Sequence, residues 1–305
     1  MTVQALPRAA EKYQASQSRE IAAALAAVRR LWRQVLPVAV LGSWGMVRPS
    51  VVAALVVAQE RLLSGVEPYM SAVLAETGQG RRDDPVGAPG WWPLLGVAGD
   101  GRGLGGMVDG AAYGALRSIR EGAAPRLAVR EAGRWLERAA STALSDTARQ
   151  GEVVAMARRP VAGYVRMLVP PSCSRCALLA GKFYRFNDGF LRHPNCDCRH
   201  IPASEALAGD LALDARVYFD SLSEAEQRRV FTVAGAEAIR DGADIGRVVN
   251  ARRGMYTAQV GGRRVLATTA VSGSRVRLMP ETIVRVAPNR AERLRLLRLH
   301  GYITG

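Results

Sequence analysis

All four cysteines of the chain fall between positions 173 and 198, as Cys173-x2-Cys176 and then His193-x2-Cys196-x-Cys198. A structural zinc ion takes four nitrogen or sulfur donors in a tetrahedron, and a C-x2-C turn offers two thiolates to one ion. The His193–Cys198 segment closes such a site after a loop of zinc-ribbon length. Five donors compete for four positions, so one is a spare or a hydrogen-bonding neighbour, and His200 is a sixth candidate. A secreted disulfide scaffold would scatter its cysteines along the chain. Clustering in a reducing compartment points instead to metal, and one structural Zn2+ ion is the expected cofactor.

Three other chemistries compete for these residues. A redox C-x-x-C would be expected near a βαβ pattern, and it leaves Cys196 and Cys198 unexplained. A catalytic zinc would keep one coordination position open beside a general base. Asp188, Asp197 and His200 are near enough in sequence for that role, but the spacing does not demand them. Buried cysteines without any ligand are the third. Elsewhere there is no G-x-S-x-G, P-loop or H-E-x-x-H. His193, His200 and His300 are the only histidines, which gives a Ser-His-Asp protease little support. Catalytic residues are therefore not expected.

The segment around the cysteines suits a small metal-organised module. Pro170-Pro171 stiffen its start, Gly181 and Gly189 permit tight turns, and Phe183, Tyr184, Phe186 and Phe190 supply a mini-core. So short a unit buries too little surface to fold alone, and zinc would contribute on the order of 10 kcal/mol of apparent binding energy to its folding. The alternating, partly β-branched run 163–169 predicts a strand that leads straight into Cys173.

The flanking regions read as helices. Ser18–Leu36 carries Ile21, Leu25, Val28, Leu31, Trp32 and Val35 at helical spacing, and Pro37 ends it. A second helix is expected from Pro49 to Thr77, broken or kinked at Pro68 and stopped at Gly78. Residues 78–106 form a Gly/Pro-rich loop in which Trp91-Trp92 pin the chain to the core or anchor a partner. Its Gly101-x-Gly103-x-x-Gly106 lacks the preceding strand that a dinucleotide site requires. Helical texture returns at 108–119 and from Pro125 to Ala157. Beyond the cysteines, Ser223 and Glu226 form a capping box for a helix to Arg240, followed by a turn at Asp241-Gly242 and a short helix at 245–249. Residues 263–277 suggest short strands or an extended arm, and Asn289 caps a last helix through Leu299 that Gly301 ends. No internal repeat is visible.

Composition bounds the partners. The chain has 305 residues, 49% hydrophobic but only 6% aromatic, which favours helix packing over a large sheet. The net charge is +15, and Lys12 and Lys182 are the only lysines. Two readings compete for this: codon bias in a GC-rich genome would favour Arg over Lys without functional pressure, whereas the net excess would draw the protein to polyanions such as nucleic acid or an acidic partner. Residues 240–305 hold thirteen Arg against four acidic residues, either a solvated face or a DNA-contacting one; with only Tyr256 and Tyr302 to stack bases, contact would be non-specific. The start of the chain lacks the apolar core of an export signal. The longest apolar run, Val51–Ala58, is too short to span a bilayer, so a soluble, cytoplasmically made protein without membrane contact is expected.

Two stretches carry a resemblance. Cys173-Ser-Arg-Cys-Ala-Leu-Leu-Ala-Gly-Lys182, followed by Gly189-Phe-Leu-Arg-His-Pro-Asn-Cys-Asp-Cys198, resembles the Mu-F-like phage head morphogenesis family, with its C-x-x-C, "G-K" segment and H-P-x-C-x-C ending. Asp197 stands where that family often has Arg, which weakens a DNA-binding role there. Residues 163–166 and 241–255 look like the variant from phages of actinobacteria. The specific likeness covers roughly 160–255, and the N-terminal helices match in texture alone. It implies a non-enzymatic minor capsid protein of a tailed bacteriophage, in few copies, inside the virion head and associated with the portal. Its implied partners are the portal, the major capsid or scaffold proteins, and packaged double-stranded DNA.

The expected fold is thus mainly α with a small α+β zinc-knuckle module. A helical region 1–158 docks the portal or scaffold, a strand and knuckle occupy 159–203, and a basic helical or extended region fills 204–305. Alternative functions are a zinc-stabilised nuclease or other DNA-processing enzyme, a nucleic-acid-binding module outside any virion, and a capsid maturation protease.

Overall fold

The structure is a computed structural model that describes residues 7–168, 172–185, 199–208, 214–269 and 276–304. It is mainly helical with two small antiparallel sheets. Its described residues fall into two compact units: 7–168, 181–185 and 199–208 in one, 172–180, 214–269 and 276–304 in the other.

The first unit is built on helices α1 (Arg8–Trp32), α2 (Val40–Ser64), α3 (Val66–Glu76), α4 (Leu104–Arg120) and α5 (Pro125–Ala157). Helix α1 starts ten residues before the expected Ser18. Its buried seam is Ala10, Tyr13, Gln17, Ile21, Ala24, Val28 and Trp32, spaced three and four apart. A buried glutamine in that seam hides the periodicity from a hydrophobicity reading. Pro7 provides no side-chain cap; instead Glu76 at the end of α3 accepts the Arg8 and Ala9 N–H groups at 2.7 and 2.8 Å. Those two backbone hydrogen bonds hold the Glu76 carboxyl below its usual range.

Helix α2 runs through Pro49 rather than starting there, and the chain breaks at Gly65, not at Pro68. Pro49 lies on the exposed side, while Val47, Val51 and Leu55 bury the opposite one, so packing outweighs the hydrogen bond the proline forfeits. The stretch Val40–Glu76 is long and apolar enough, by length and composition, to cross a membrane, with a third of its most apolar window buried. The expectation that no segment could span therefore does not stand on length and composition; it rested on unbroken apolar runs, which the scattered polar residues interrupt. Here α2 packs against α1, α4 and α5 in one core, and α3 packs against α1 and α5 in a second. Trp32 donates Nε1–H to the Val129 carbonyl at 3.0 Å, and Gly133 admits its ring: a Cβ there would lie 2.6 Å from the indole.

The 78–106 loop is an ordered connection. Gln59, fully buried on α2, accepts the Gly96 N–H and donates to the Val97 carbonyl and Thr147 Oγ1, all at 2.8 Å. Trp91 packs at the core as expected, whereas Trp92 is 80% exposed. Gly101 and Gly103 precede α4, which starts four residues earlier than expected at Leu104, with only an isolated bridge Val97–Gly103 before it.

After α5 comes strand β1 (Gly163–Met167); Leu168 of the expected strand is outside it, and Val169 lies outside the described residues. Helix α6 (Ser174–Leu179) belongs to the other unit; then follow β2 (Phe183–Arg185), β3 (Arg199–Ala203) and the single turn α7 (Glu205–Ala208). The sheet order is β2-β1-β3, antiparallel throughout. Gly163 allows β2 to lie close, because a Cβ there would sit 2.0 Å from the Tyr184 carbonyl oxygen. The sheet belongs with the helices because Tyr164 and Ile201 share a core with Val66, Tyr69, Met70 and Met156.

The second unit contains α6, α8 (Ala215–Ser221), α9 (Glu224–Phe231), α10 (Val233–Arg240), α11 (Ile245–Ala251), the sheet β4 (Met255–Val260), β5 (Arg263–Thr268) and β6 (Arg277–Leu278), then α12 (Pro280–Val286) and α13 (Arg290–Leu299). The capping box at Ser223 and the Asn289 cap form as read. The single helix expected from Ser223 to Arg240 is two. Thr232 takes φ 69°, ψ 164°, a region nearly reserved for glycine, and its Oγ1 caps α10 by accepting the Gly235 N–H at 3.3 Å. No Gly or Pro marks that break in the sequence.

Candidate functional site

Cys173 and Cys176 flank the first turn of α6. Cys173 is the N-cap, and its sulfur accepts the Cys176 N–H at 3.4 Å, which turns both side chains to the same side. Their Sγ atoms are 3.4 Å apart, too far for a disulfide and close enough for one ion. Two thiolates at that separation could both bind one ion at the usual zinc–sulfur distance of about 2.3 Å. Helix α6 is held by α8 and α11. Tyr218 on α8 donates its hydroxyl to the Ser172 carbonyl at 3.3 Å. Burial pushes the Tyr218 phenol up, and the two nearby thiols add to that.

The other candidate ligands, His193, Cys196 and Cys198, lie outside the described residues, as do Asp188 and Asp197. Among the described residues, no group of three or more His, Cys, Asp or Glu side chains is placed to hold a metal ion. The described residues thus show the Cys173–Cys176 pair alone and no assembled knuckle.

His200, the sixth candidate, is engaged elsewhere. It is 4% exposed on β3, its Nδ1 lies 3.1 Å from Glu152 Oε2, and its backbone N–H donates to the same oxygen at 3.3 Å. Tyr69 donates its hydroxyl to the His200 carbonyl at 2.6 Å, and the Tyr164 ring lies tilted against the imidazole with centroids 3.9 Å apart. Arg166, 2% exposed, faces His200 across the β1–β3 ladder. Sequence reasoning missed Glu152 and Arg166. Glu152 sits inside a long helix, Arg166 in an alternating strand, and only tertiary packing brings them to His200. This cluster fixes the strand that follows Cys198.

The C-terminal arginines divide sharply. Arg240, Arg247, Arg252, Arg277, Arg290, Arg293 and Arg295 bond to carboxylates, carbonyls or side chains of their own unit. Arg290 and Arg293 converge on Asp241; burial alone would raise its carboxyl, but these guanidiniums hold it below the usual range. Arg277 lies 4.1 Å above the Tyr302 ring. Much of the basic excess read from the sequence is therefore internal scaffolding.

No protein-family model, curated protein or solved structure matches this chain.

Proposed function

We propose that this chain is a minor structural protein of a tailed-phage head, associated with the portal and in contact with packaged DNA, and that it carries one structural zinc. The observation behind this reading is the spacing Cys173-x2-Cys176 with His193-Pro194-Asn195-Cys196-Asp197-Cys198, which resembles the Mu-F-like pattern. The 3.4 Å approach of the Cys173 and Cys176 sulfurs supports it, because two zinc ligands need that proximity. Zinc drawn from Cys173, Cys176, His193, Cys196 and Cys198 would supply folding energy and leave no catalytic role. The helical N-terminal region would then dock the portal or scaffold.

Peptide mass spectrometry of purified phage particles, scaled to the major capsid protein, tests the proposal. Detection at a few copies per head is the expected result. Absence from particles overturns it and makes metal-dependent nuclease assays the next step.

A further inference from the structure

The hairpin β4–β5 projects from the second unit. Its base is clamped: Thr268 donates Oγ1–H to the Ala251 carbonyl at 2.6 Å, Thr269 N–H reaches the Gly254 carbonyl at 3.0 Å, and Thr282 Oγ1 accepts the Leu266 N–H at 3.0 Å. Beyond the buried pair Ala258 and Val265 the ribbon is bare. Every residue from Gln259 to Arg264 is exposed. The turn is Gly261-Gly262, at φ 55° and 76°, a two-residue hairpin turn that matches the strand twist.

From Ile245 to Pro280 the sequence has seven arginines and no acidic residue. Arg247, Arg252 and Arg277 are occupied within the unit. Arg253 at the hairpin base and Arg263 and Arg264 at its tip are exposed, and no carboxylate of the described residues lies within ion-pair distance of them. The register pairs Gln259 with Arg264 and Thr257 with Leu266, so Thr257, Gln259 and Arg264 share the face turned from the small core of Ala258, Val265 and Ala267.

An exposed two-stranded ribbon with hydrogen-bonding side chains on its outer face and uncompensated guanidiniums at tip and base matches a duplex groove flanked by phosphates. A second copy of the chain would bring the same positive charge against it. We infer that the tip of the β4–β5 hairpin is the arm through which this protein contacts double-stranded DNA, with Arg253, Arg263 and Arg264 on phosphates. This deepens, and rests on, the DNA-contacting part of the proposed function.

The test is fluorescence anisotropy of the full chain on a duplex of arbitrary sequence, titrated across salt. Two triple variants are compared with the parent. One is Arg253→Ser, Arg263→Ser and Arg264→Ser. The other removes equal charge from exposed positions of the same unit, Arg285→Ser, Arg295→Ser and Arg298→Ser. A third, Arg263→Lys with Arg264→Lys, keeps the charge. Circular dichroism melts confirm that each folds.

The hairpin triple should bind at least tenfold more weakly, with the slope of log K against log salt shallower by about 3, roughly one unit per phosphate contact. The control triple should lose less than about threefold, and the lysine variant should stay close to the parent. Equal losses in the two triples would overturn the arm, since net charge would then carry the binding. So would an unchanged hairpin triple, which would leave DNA contact standing elsewhere on the chain. Failure of the parent chain to bind DNA would remove the DNA contact altogether but not the head location, which the particle measurement decides. Tighter binding to polyglutamate, duplex RNA or phosphatidylserine vesicles than to DNA would assign the arm to another polyanion and overturn the assignment.

Discussion

Replacing Arg159 by Met perturbs the clamp that sets where the chain leaves α5 and enters β1. The Arg159 side chain is 1% exposed; Nη2 donates to Glu67 Oε2 at 2.6 Å, Nε to Asp83 Oδ1 at 2.9 Å, and Nη1 to the Ala155 carbonyl at 3.1 Å. Arg159→Met keeps the aliphatic packing and removes the guanidinium that the two carboxylates share. Breaking a fully buried pair costs about 3–5 kcal/mol. Here Glu67 and Asp83 are 27% and 23% exposed, and Arg158 and Ser71 still hold one each, so solvent and second partners reduce the loss. The expected loss is about 2–3 kcal/mol, which for a unit of this size lowers its melting temperature by roughly 4–12 °C. The sign with pH is also fixed. Burial alone would raise the Asp83 carboxyl, but Ser71 and Arg159 bring it below its usual value. That stabilisation is present above the unfolded carboxylate value, about 3.9, and is lost as pH falls through the folded one. The gap between Arg159→Met and the parent should therefore shrink in acid. Calorimetric melts at pH 7 and near pH 3, with Asp83→Asn completing a double-mutant cycle, measure this. A loss under about 1 kcal/mol, or a gap unchanged by pH, would show that Arg159 contributes little through these carboxylates.

Three further outcomes are expected. Exchanging Cys173 and Cys176 together for Ser should take zinc content from about one ion per chain to none and lower the melting temperature; a variant that keeps both would sink the zinc proposal. Gly163→Ala should cost about 2–3 kcal/mol in a denaturant titration, because the new Cβ meets the Tyr184 carbonyl, a backbone atom that cannot swing away. Burial lowers the His300 imidazole, with Arg277 and Arg295 adding to it, and its Nδ1 accepts the Leu278 N–H at 3.3 Å. Stability from neutral His300 is full above the unfolded imidazole value, about 6.5, and falls as pH drops through the lower folded one. Melts between pH 8 and 5 should show that decline in the parent and less of it in His300→Gln.

What the sequence determined was local. A C-x2-C turn places two sulfurs together within one helical turn, so Cys173 and Cys176 were legible as a pair before any fold was known. The same holds for the Ser223 capping box, the Asn289 cap, Pro125 at the start of α5 and Gly301 at the end of α13, where a residue acts on backbone two or three positions away. Tertiary structure decided what depends on distant partners. Gln17 lies in a seam of apolar residues because α1 presents that face to its neighbours, and no periodicity rule reads a buried amide as core. Thr232 splits one apparent helix because Arg252 and Glu281, far along the chain, gather at its hydroxyl. Glu152 meets His200 across 48 positions. The arginines are the clearest case: thirteen look alike in the sequence from 240 to 305, and only folding determines which find a carboxylate or carbonyl and which remain facing water. Charge counts along a chain are additive, but ion pairing is a matter of distance, and distance between remote residues is set by the packing.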